Sequence, residues 1–246
     1  MAVILQVALD FVDLHRAVKV AGEAIEGGAD WLEIGTPLIK SEGMNAVRHL
    51  RKLFPDTTLL ADMKTMDAGR AEMEMAAKAG ANIAVVMGDA PESTIKECVQ
   101  AGKNYGIKIC VDFINTAKVE ERVADIEKWG ADYIAVHTAI DDQMCGKTPF
   151  SALQHICSKV KIPVAVAGGI NSENVIDAVN AGASIVIVGG YISKSKDAKV
   201  AAESIKTAIK ENRRIGTTLF KRVTREGVRE VLTKLSTANI SDGGHR

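Results

Sequence analysis

Net charge is the first thing this chain lacks. Lysine plus arginine and aspartate plus glutamate each total 31 of the 246 residues, so the formal charge is zero. Such a balance gives no electrostatic footprint for nucleic acid and no attraction to an acidic membrane. Aromatic residues are scarce, with two Trp, three Tyr and five Phe, which leaves base stacking unsupported. No apolar run approaches the roughly 20 residues of a membrane helix. The N-terminus shows no basic segment and reaches Asp10 quickly, which argues against a secretory signal. Cys98, Cys110, Cys145 and Cys157 have no C-x-x-C spacing. They are expected as free thiols in a reducing cytoplasm, with Cys98 and Cys110 packed.

What the chain has is a repeat. Gly28-Ala29-Asp30 leads into the apolar Trp31 to Ile34. The same joint returns as Gly80-Ala81-Asn82, Gly130-Ala131-Asp132 and Gly182-Ala183-Ser184, each ahead of an apolar run. Each joint closes an amphipathic helix with glycine and opens a strand. With Val3 to Leu9, Thr58 to Ala61, Lys108 to Val111 and Pro163 to Ala167, eight strands are expected. Helical spacing fills 13–28, 44–53, 68–79, 92–104, 118–129, 149–159, 171–181 and 197–212. Eight βα units over residues 1–210 predict an α/β fold of the closed (β/α)8, or TIM-barrel, type. An open doubly wound sheet is the alternative, but the turn after the first strand, Asp10-Phe11-Val12-Asp13, lacks the glycines that fold favours.

A barrel gathers the C-terminal ends of its strands at one mouth. Those ends carry Asp10, Glu33, Asp62 with Lys64, Asp112, His137, Gly168-Gly169 and Gly189-Gly190. The stretch Leu59 to Gly69 is the densest, running from a buried strand into Asp62, Lys64 and Asp67. A carboxylate there must be paired or metal-bound, and an extended chain would put Lys64 on the same face as Asp62. Glycine pairs after the seventh and eighth strands suit a phosphate. Glu33 and Asp62 are candidate ligands for Mg2+ or Mn2+, although Glu33 paired with Lys64 is the other reading. A cation and a lysine together would stabilise an enediolate. His137 is the candidate proton carrier, with Asp141 to orient it. A Schiff base on Lys64 is disfavoured, because flanking carboxylates hold the amine protonated. His15, His49 and His155 fall in helical patterns and are read as surface or packing residues.

The stretches Gln6-Val7-Ala8-Leu9-Asp10, Glu33 to Lys40, Leu60 to Gly69, Val136 to Gln143, Thr148-Pro149-Phe150 and Val166 to Ile170 resemble the 3-hexulose-6-phosphate synthase family of the orotidine 5′-monophosphate decarboxylase superfamily. The resemblance implies an Mg2+-dependent aldehyde-lyase that reversibly condenses formaldehyde with ribulose 5-phosphate through a 1,2-enediolate. It implies Mg2+ near Glu33 and Asp62, and His137 moving the C1 proton. Lys64 would neutralise the enediolate, and Asp10 and Asp112 would contact substrate hydroxyls. The glycine pairs would hold the phosphate. Asp67 would reach a partner subunit's site, which implies a homodimer with shared active sites. The 3-keto-L-gulonate 6-phosphate decarboxylase family is the nearest rival. It typically has arginine where this chain has Ile140 and glutamate where it has Asp112. A non-catalytic phosphate-binding scaffold is the third reading, one that would not need Glu33, Asp62, Lys64, Asp67 and His137 together. Tyr191, after the last glycine pair, is bulky enough to crowd the phosphate mouth.

Residues 211–246 are expected to form a polar linker followed by a helix from Thr224 to Leu235, striped by Val228, Val231, Leu232 and Leu235. The run Ser236 to Asp242 resembles the opening of ribonuclease E activity regulator-like proteins, which implies the start of a second domain.

Overall fold

The computed structural model describes residues 3–116, 119–138 and 150–217. Its strands are β1 (Ile4–Leu9), β2 (Trp31–Ile34), β3 (Thr58–Thr65), β4 (Ile83–Met87), β5 (Lys108–Asp112), β6 (Tyr133–His137), β7 (Val164–Ala167) and β8 (Ile185–Val188). The helices described are α1 (Leu14–Glu26), α2 (Thr36–Glu42), α3 (Asn45–Leu53), α4 (Gly69–Ala79), α5 (Glu92–Tyr105) and α6 (Val119–Trp129). They continue with α7 (Phe150–Cys157), α8 (Val175–Asn180), α9 (Gly190–Ser193) and α10 (Ala198–Glu211). All neighbouring strands are parallel, and β8 closes on β1 with Ile4 opposite Ile185. Closure rules out the open sheet and makes the architecture a TIM barrel.

The repeated joint is a hydrogen-bonding device. Gly28, Gly80, Gly130 and Gly182 all take left-handed φ, between 91° and 102°, which ends the preceding helix at little cost for a residue without Cβ. Two residues on, the side chain of Asp30 accepts from Leu5 N, that of Asn82 from Leu59 N and that of Asp132 from Ile109 N, at 2.7, 2.9 and 2.9 Å. Their own backbone N–H groups donate to the carbonyls of the same three residues. Each joint therefore fastens an even-numbered strand to the odd-numbered strand before it, and satisfies N–H groups at the bottom of the barrel. At the helix starts, Asp13 and Asp197 accept from Arg16 N and Val200 N, as N-cap carboxylates do.

Alternation along the strands sorts side chains between two cores. The larger lies between barrel and helices and includes Leu5, Val7, Leu9, Leu32, Ile34, Leu59, Met73 and Ile95. The smaller fills the barrel with Leu60, Ile83, Val85, Cys110, Ala135, Ala165 and Ile185, joined by half-buried Trp31 and Tyr133. Those two aromatic rings meet edge to face at 5.6 Å, a preferred geometry for such a pair. Cys98 and Cys110 are buried free thiols and Cys157 is half-buried; Cys145 lies outside the described residues. Among the described residues no helix is long and apolar enough to cross a membrane.

Several expectations change. β3 runs four residues past Ala61, with a register shift against β4 between Ala61 and Thr65, and Lys64 takes φ 46° inside that bulge. The extended alternation expected of Lys64 is thus replaced by a left-handed kink that re-aims its side chain. The turn after β2 contains α2, started by Pro37 at an N-terminal helix position where its missing N–H costs nothing. The helix expected over 171–181 contracts to α8, because Asn171 instead builds a turn, its Oδ1 accepting from Glu173 N and Asn174 N. Residues 213–217 are not a free spacer: they dock on the loop after β7 and on α8. The helix expected from Thr224 to Leu235 and the second-domain resemblance lie outside the described residues, as do Asp141, Ile140 and Thr148-Pro149.

Candidate active site

The inward positions of neighbouring strands place the expected residues at one mouth. Asp62 of β3 is buried, and both its oxygens accept from Lys64 Nζ, at 3.1 and 2.9 Å. The hydroxyl of Thr36 lies 2.8 Å from both Asp62 Oδ2 and the Asp62 carbonyl, its one proton shared between the two acceptors. Lys64 Nζ also donates to Asp112 Oδ2 at 3.0 Å. On the other side of that oxygen stands His137 Nδ1, at 3.2 Å. Asp112 Oδ1 accepts from Ile114 N at 2.9 Å. Asp112 is therefore a buried hub that touches both the lysine and the histidine.

The charges explain one another. Burial alone would raise the Asp112 pKa, but the hydrogen bond and charge of His137, together with Lys64, hold it below the usual carboxylate range. Burial alone would lower the pKa of Lys64; Asp112 and Asp62 outweigh it and drive the value up, so the ammonium persists. With Asp112 ionised, Nδ1 of His137 is its natural donor, which leaves Nε2 as the basic nitrogen. Asp112 is placed to orient His137; Asp141, expected in that role, lies outside the described residues.

Glu33 of β2 is buried, and its Oε2 accepts from Gln6 Nε2 at 2.5 Å. Burial first, then the charges of Asp62 and Asp10, push its pKa well above normal. Asp10 stays accessible at the rim, yet its carboxyl is crowded, and the same causes, with Asp62 the leading charge, raise its pKa. Glu33 makes no ion pair with Lys64, whose partners are Asp62 and Asp112. Asp10, Glu33 and Asp62 thus face one another with too little positive charge between them. That donor set fits a hard divalent cation, which takes one or two carboxylates and keeps its waters. Among the described residues no three His, Cys, Asp or Glu side chains converge as a full ligand cage; Mg2+ does not need one.

Asp10 has room because residue 35 is glycine. A Cβ there would stand 2.2 Å from Asp10 Oδ1. On its far side Asp10 faces the loop after β8, with Oδ2 3.4 Å from where a Cβ on Gly189 would lie. Gly168 and Gly169 take φ 114° and 72°, conformations that side chains resist. Tyr191 does not crowd the mouth: it is buried, and its hydroxyl lies 3.0 Å from both Ser172 Oγ and Ser204 Oγ. Lys194 lays its stem beside Gly190 and its charge reaches Asp10. Asp67 stands apart from this network. It is exposed, its Oδ1 accepts from Ala68 N at 2.7 Å, and it borders a hollow along the starts of α4 and α5.

Sequence reasoning missed Gln6, Thr36, Gly35 and Lys194. Stepping back by twos from Asp10 along β1 would have found Gln6 on the inner face. Gly35 and Thr36 lie in the family-like stretch Glu33 to Lys40, which could have pointed to them; no signal marked Lys194, whose role depends on how the last loop folds over.

The family model for the orotidine 5′-phosphate decarboxylase / HUMPS family matches residues 4–205. The 3-hexulose-6-phosphate synthase of Staphylococcus epidermidis is 39% identical over 206 residues, covering 83% of this chain and 98% of the relative. The crystal structure of 3-hexulose-6-phosphate synthase from Salmonella typhimurium is 34% identical, with TM-score 0.82, covering 85% of this chain and all of that one. A 3-keto-L-gulonate-6-phosphate decarboxylase from Vibrio cholerae shares the fold at 24% identity and TM-score 0.74, covering 86% of this chain and 99% of that one.

Proposed function

The chain belongs to the orotidine 5′-phosphate decarboxylase / HUMPS family, and from that premise we propose that it is an aldehyde-lyase of the 3-hexulose-6-phosphate synthase type. The observation that carries this reading is Asp112 held between Lys64 and His137 beside Asp10, Glu33 and Asp62. The substrates are ribulose 5-phosphate and formaldehyde. Nε2 of His137 takes a proton from C1 of the sugar, and the electrons pass to the C2 oxygen as a 1,2-enediolate. The Lys64 ammonium lies where that negative charge develops. C1 then attacks the formaldehyde carbon, and the new alkoxide is protonated to give 3-hexulose 6-phosphate. The reverse direction breaks the same carbon–carbon bond and releases formaldehyde.

Glu33 and Asp62 would hold Mg2+, with Mn2+ an alternative of similar ligand preference. The ion, when bound, supplies positive charge to the enediolate oxygens. Asp10 and Asp112 meet substrate hydroxyls, Asp112 while it also orients His137. Gly168, Gly169, Gly189 and Gly190 offer backbone N–H groups to the phosphate. Asp67 completes the site of a second copy, so the enzyme works as a homodimer, in the cytoplasm.

The test is formaldehyde consumption with ribulose 5-phosphate and Mg2+, run beside EDTA and a His137→Ala variant. Metal-dependent loss of formaldehyde that falls by about 10²–10⁴-fold in the variant supports the reading. Release of CO2 from 3-keto-L-gulonate 6-phosphate, without formaldehyde chemistry, moves the chain to the decarboxylase. Silence in both assays, with the sugar phosphate still bound, makes it a scaffold.

A further inference from the structure

The loops that carry the two glycine pairs are joined by a buried chain of hydroxyls. Ser172, four residues beyond Gly168, is fully buried, and Tyr191 directly follows Gly190. Ser172 Oγ donates to the carbonyl of Ile215 at 2.8 Å and lies 3.0 Å from the Tyr191 hydroxyl. Ser204 of α10 lies on the other side of the Tyr191 hydroxyl at 3.0 Å. Because Ser172 gives its proton to Ile215 and Ser204 gives its own to the Ala201 carbonyl at 2.7 Å, the Tyr191 hydroxyl is the donor of the chain, with one proton for two serine oxygens.

The outer end of that chain is held by residues 213–217. Ile215 N donates back to the Ser172 carbonyl at 2.9 Å, so the two residues exchange hydrogen bonds. Arg214 pairs with Asp177 of α8 at 2.6 Å, and Thr217 N donates to Glu173 Oε1 at 3.1 Å. These ties fasten the segment to the loop after β7 and to α8. The segment lies beyond residues 4–205, which the family model matches. A polar chain this well buried makes sense only if every member is satisfied, and then it fixes one geometry.

We propose that Ser172 and Tyr191 are positioning residues that set the spacing of the two glycine loops, and that residues 213–217 lock this pair from outside. The inference rests on the reading that those loops take the phosphate of the substrate. Neither side chain touches substrate. Each acts through the backbone N–H groups of the glycines, whose directions decide how many reach the phosphate oxygens together. The ligand affected is therefore the phosphate, and the carbon chemistry at Lys64 and His137 is left in place.

The test uses the full chain with three substitutions: Tyr191→Phe, Ser172→Ala and Ile215→Pro, the last removing the N–H that Ser172 accepts. Inorganic phosphate is titrated calorimetrically and as a competitor of ribulose 5-phosphate, and melting is recorded for each variant. The expected result is a roughly fivefold rise in phosphate Kd and in KM, the size of one lost hydrogen bond's ordering, with a much smaller change in kcat. The Tyr191→Phe/Ser172→Ala double variant should be no worse than the poorer single one, since both break the same link. Lower melting temperature with unchanged Kd and KM would reduce the pair to packing and overturn the proposal. If the wild type does not bind inorganic phosphate at all, the phosphate reading itself fails and this inference falls with it. If the wild type binds and the variants bind equally well, only the positioning role fails.

Discussion

Oδ2 of Asp112 stands 3.2 Å from Nδ1 of His137. The same oxygen accepts from Lys64 at 3.0 Å, so one buried atom sets the histidine tautomer and anchors the ammonium. Asparagine in its place would keep the volume but present an amide that donates. The imidazole would then be driven to carry its proton on Nε2, where it cannot accept one from carbon. Asp112→Asn is expected to lower kcat by about a hundredfold or more, with a smaller change in KM. Steady-state kinetics with ribulose 5-phosphate and formaldehyde decide it; a change in KM alone would make Asp112 a substrate contact and nothing more.

The same carboxylate gives a pH dependence of stability with a definite sign. Its folded-state pKa lies below the ordinary value, through His137 and Lys64 acting against burial. A depressed carboxylate contributes stability that is present above its unfolded pKa, about 3.9, and is lost as pH falls through the folded value. Asp112 is almost fully buried, whereas the Lys64 side chain is 25% exposed, so solvent weakens the pair. Removing one partner should cost about 3 kcal/mol at neutral pH, the lower end for a buried pair. Urea unfolding of wild type and Asp112→Asn should show that gap at pH 7 and a narrowing gap below about pH 4. A gap that stays constant into acid would mean the loss is one of packing.

The barrel was legible because its information is local. Four glycine joints carry the helix stop, and the residue two on fastens the strands, by side chain and backbone in Asp30, Asn82 and Asp132 and by backbone in Ser184, and these repeat at sight in the sequence. The strand-end residues Asp10, Glu33, Asp62, Asp112 and His137 were legible for the same reason, since strand ends of a barrel share one face. What could not be read depends on contacts between loops. Lys64 reaches Asp62 and Asp112 through a left-handed bulge that no alternation rule contains. Tyr191 looked like an obstruction because its partners, Ser172 and Ser204, lie 19 and 13 residues away. Residues 213–217 read as a polar spacer because docking on Ser172 and Glu173 uses mostly backbone atoms.

Metal removal is expected to act through Glu33. Burial, then Asp62 and Asp10, raise its folded-state pKa. A raised group contributes stability that is full below the unfolded pKa, about 4.3, and is lost as pH rises through the folded value. Metal-free enzyme should therefore weaken as Glu33 ionises, and Mg2+ should restore the loss by neutralising the charge. Glu33→Gln removes the penalty and the proposed ligand together. At neutral pH its metal-free melting temperature should equal or exceed that of the wild type, and Mg2+ should raise only the wild type's. Activity of the variant should be lost at Mg2+ concentrations that saturate the native enzyme. Equal Mg2+ stabilisation of both proteins would place the ion elsewhere.

Asp67 offers a test of shared active sites that needs no structural work. The residue is exposed, hydrogen-bonds its neighbour Ala68, and stands outside the network of Lys64, Asp112 and His137 in its own chain. It borders a hollow of about 450 Å³ lined also by Gly69, Arg70, Ser93 and Glu97. In a two-fold dimer the same patch meets itself, so a residue beyond reach of its own site can complete the other. Asp67→Ala and His137→Ala should each be nearly inactive alone. Co-refolded in equal amounts, half of the dimers are hybrids in which one site carries both defects and the other carries neither. The mixture should regain about a quarter of wild-type activity. The regain should vanish when the two variants are mixed at dilution without subunit exchange. No regain after confirmed exchange would place Asp67 in its own chain's site, because hybrid formation would then leave every site damaged as before, and an Asp67→Ala variant active alone would place it outside the chemistry.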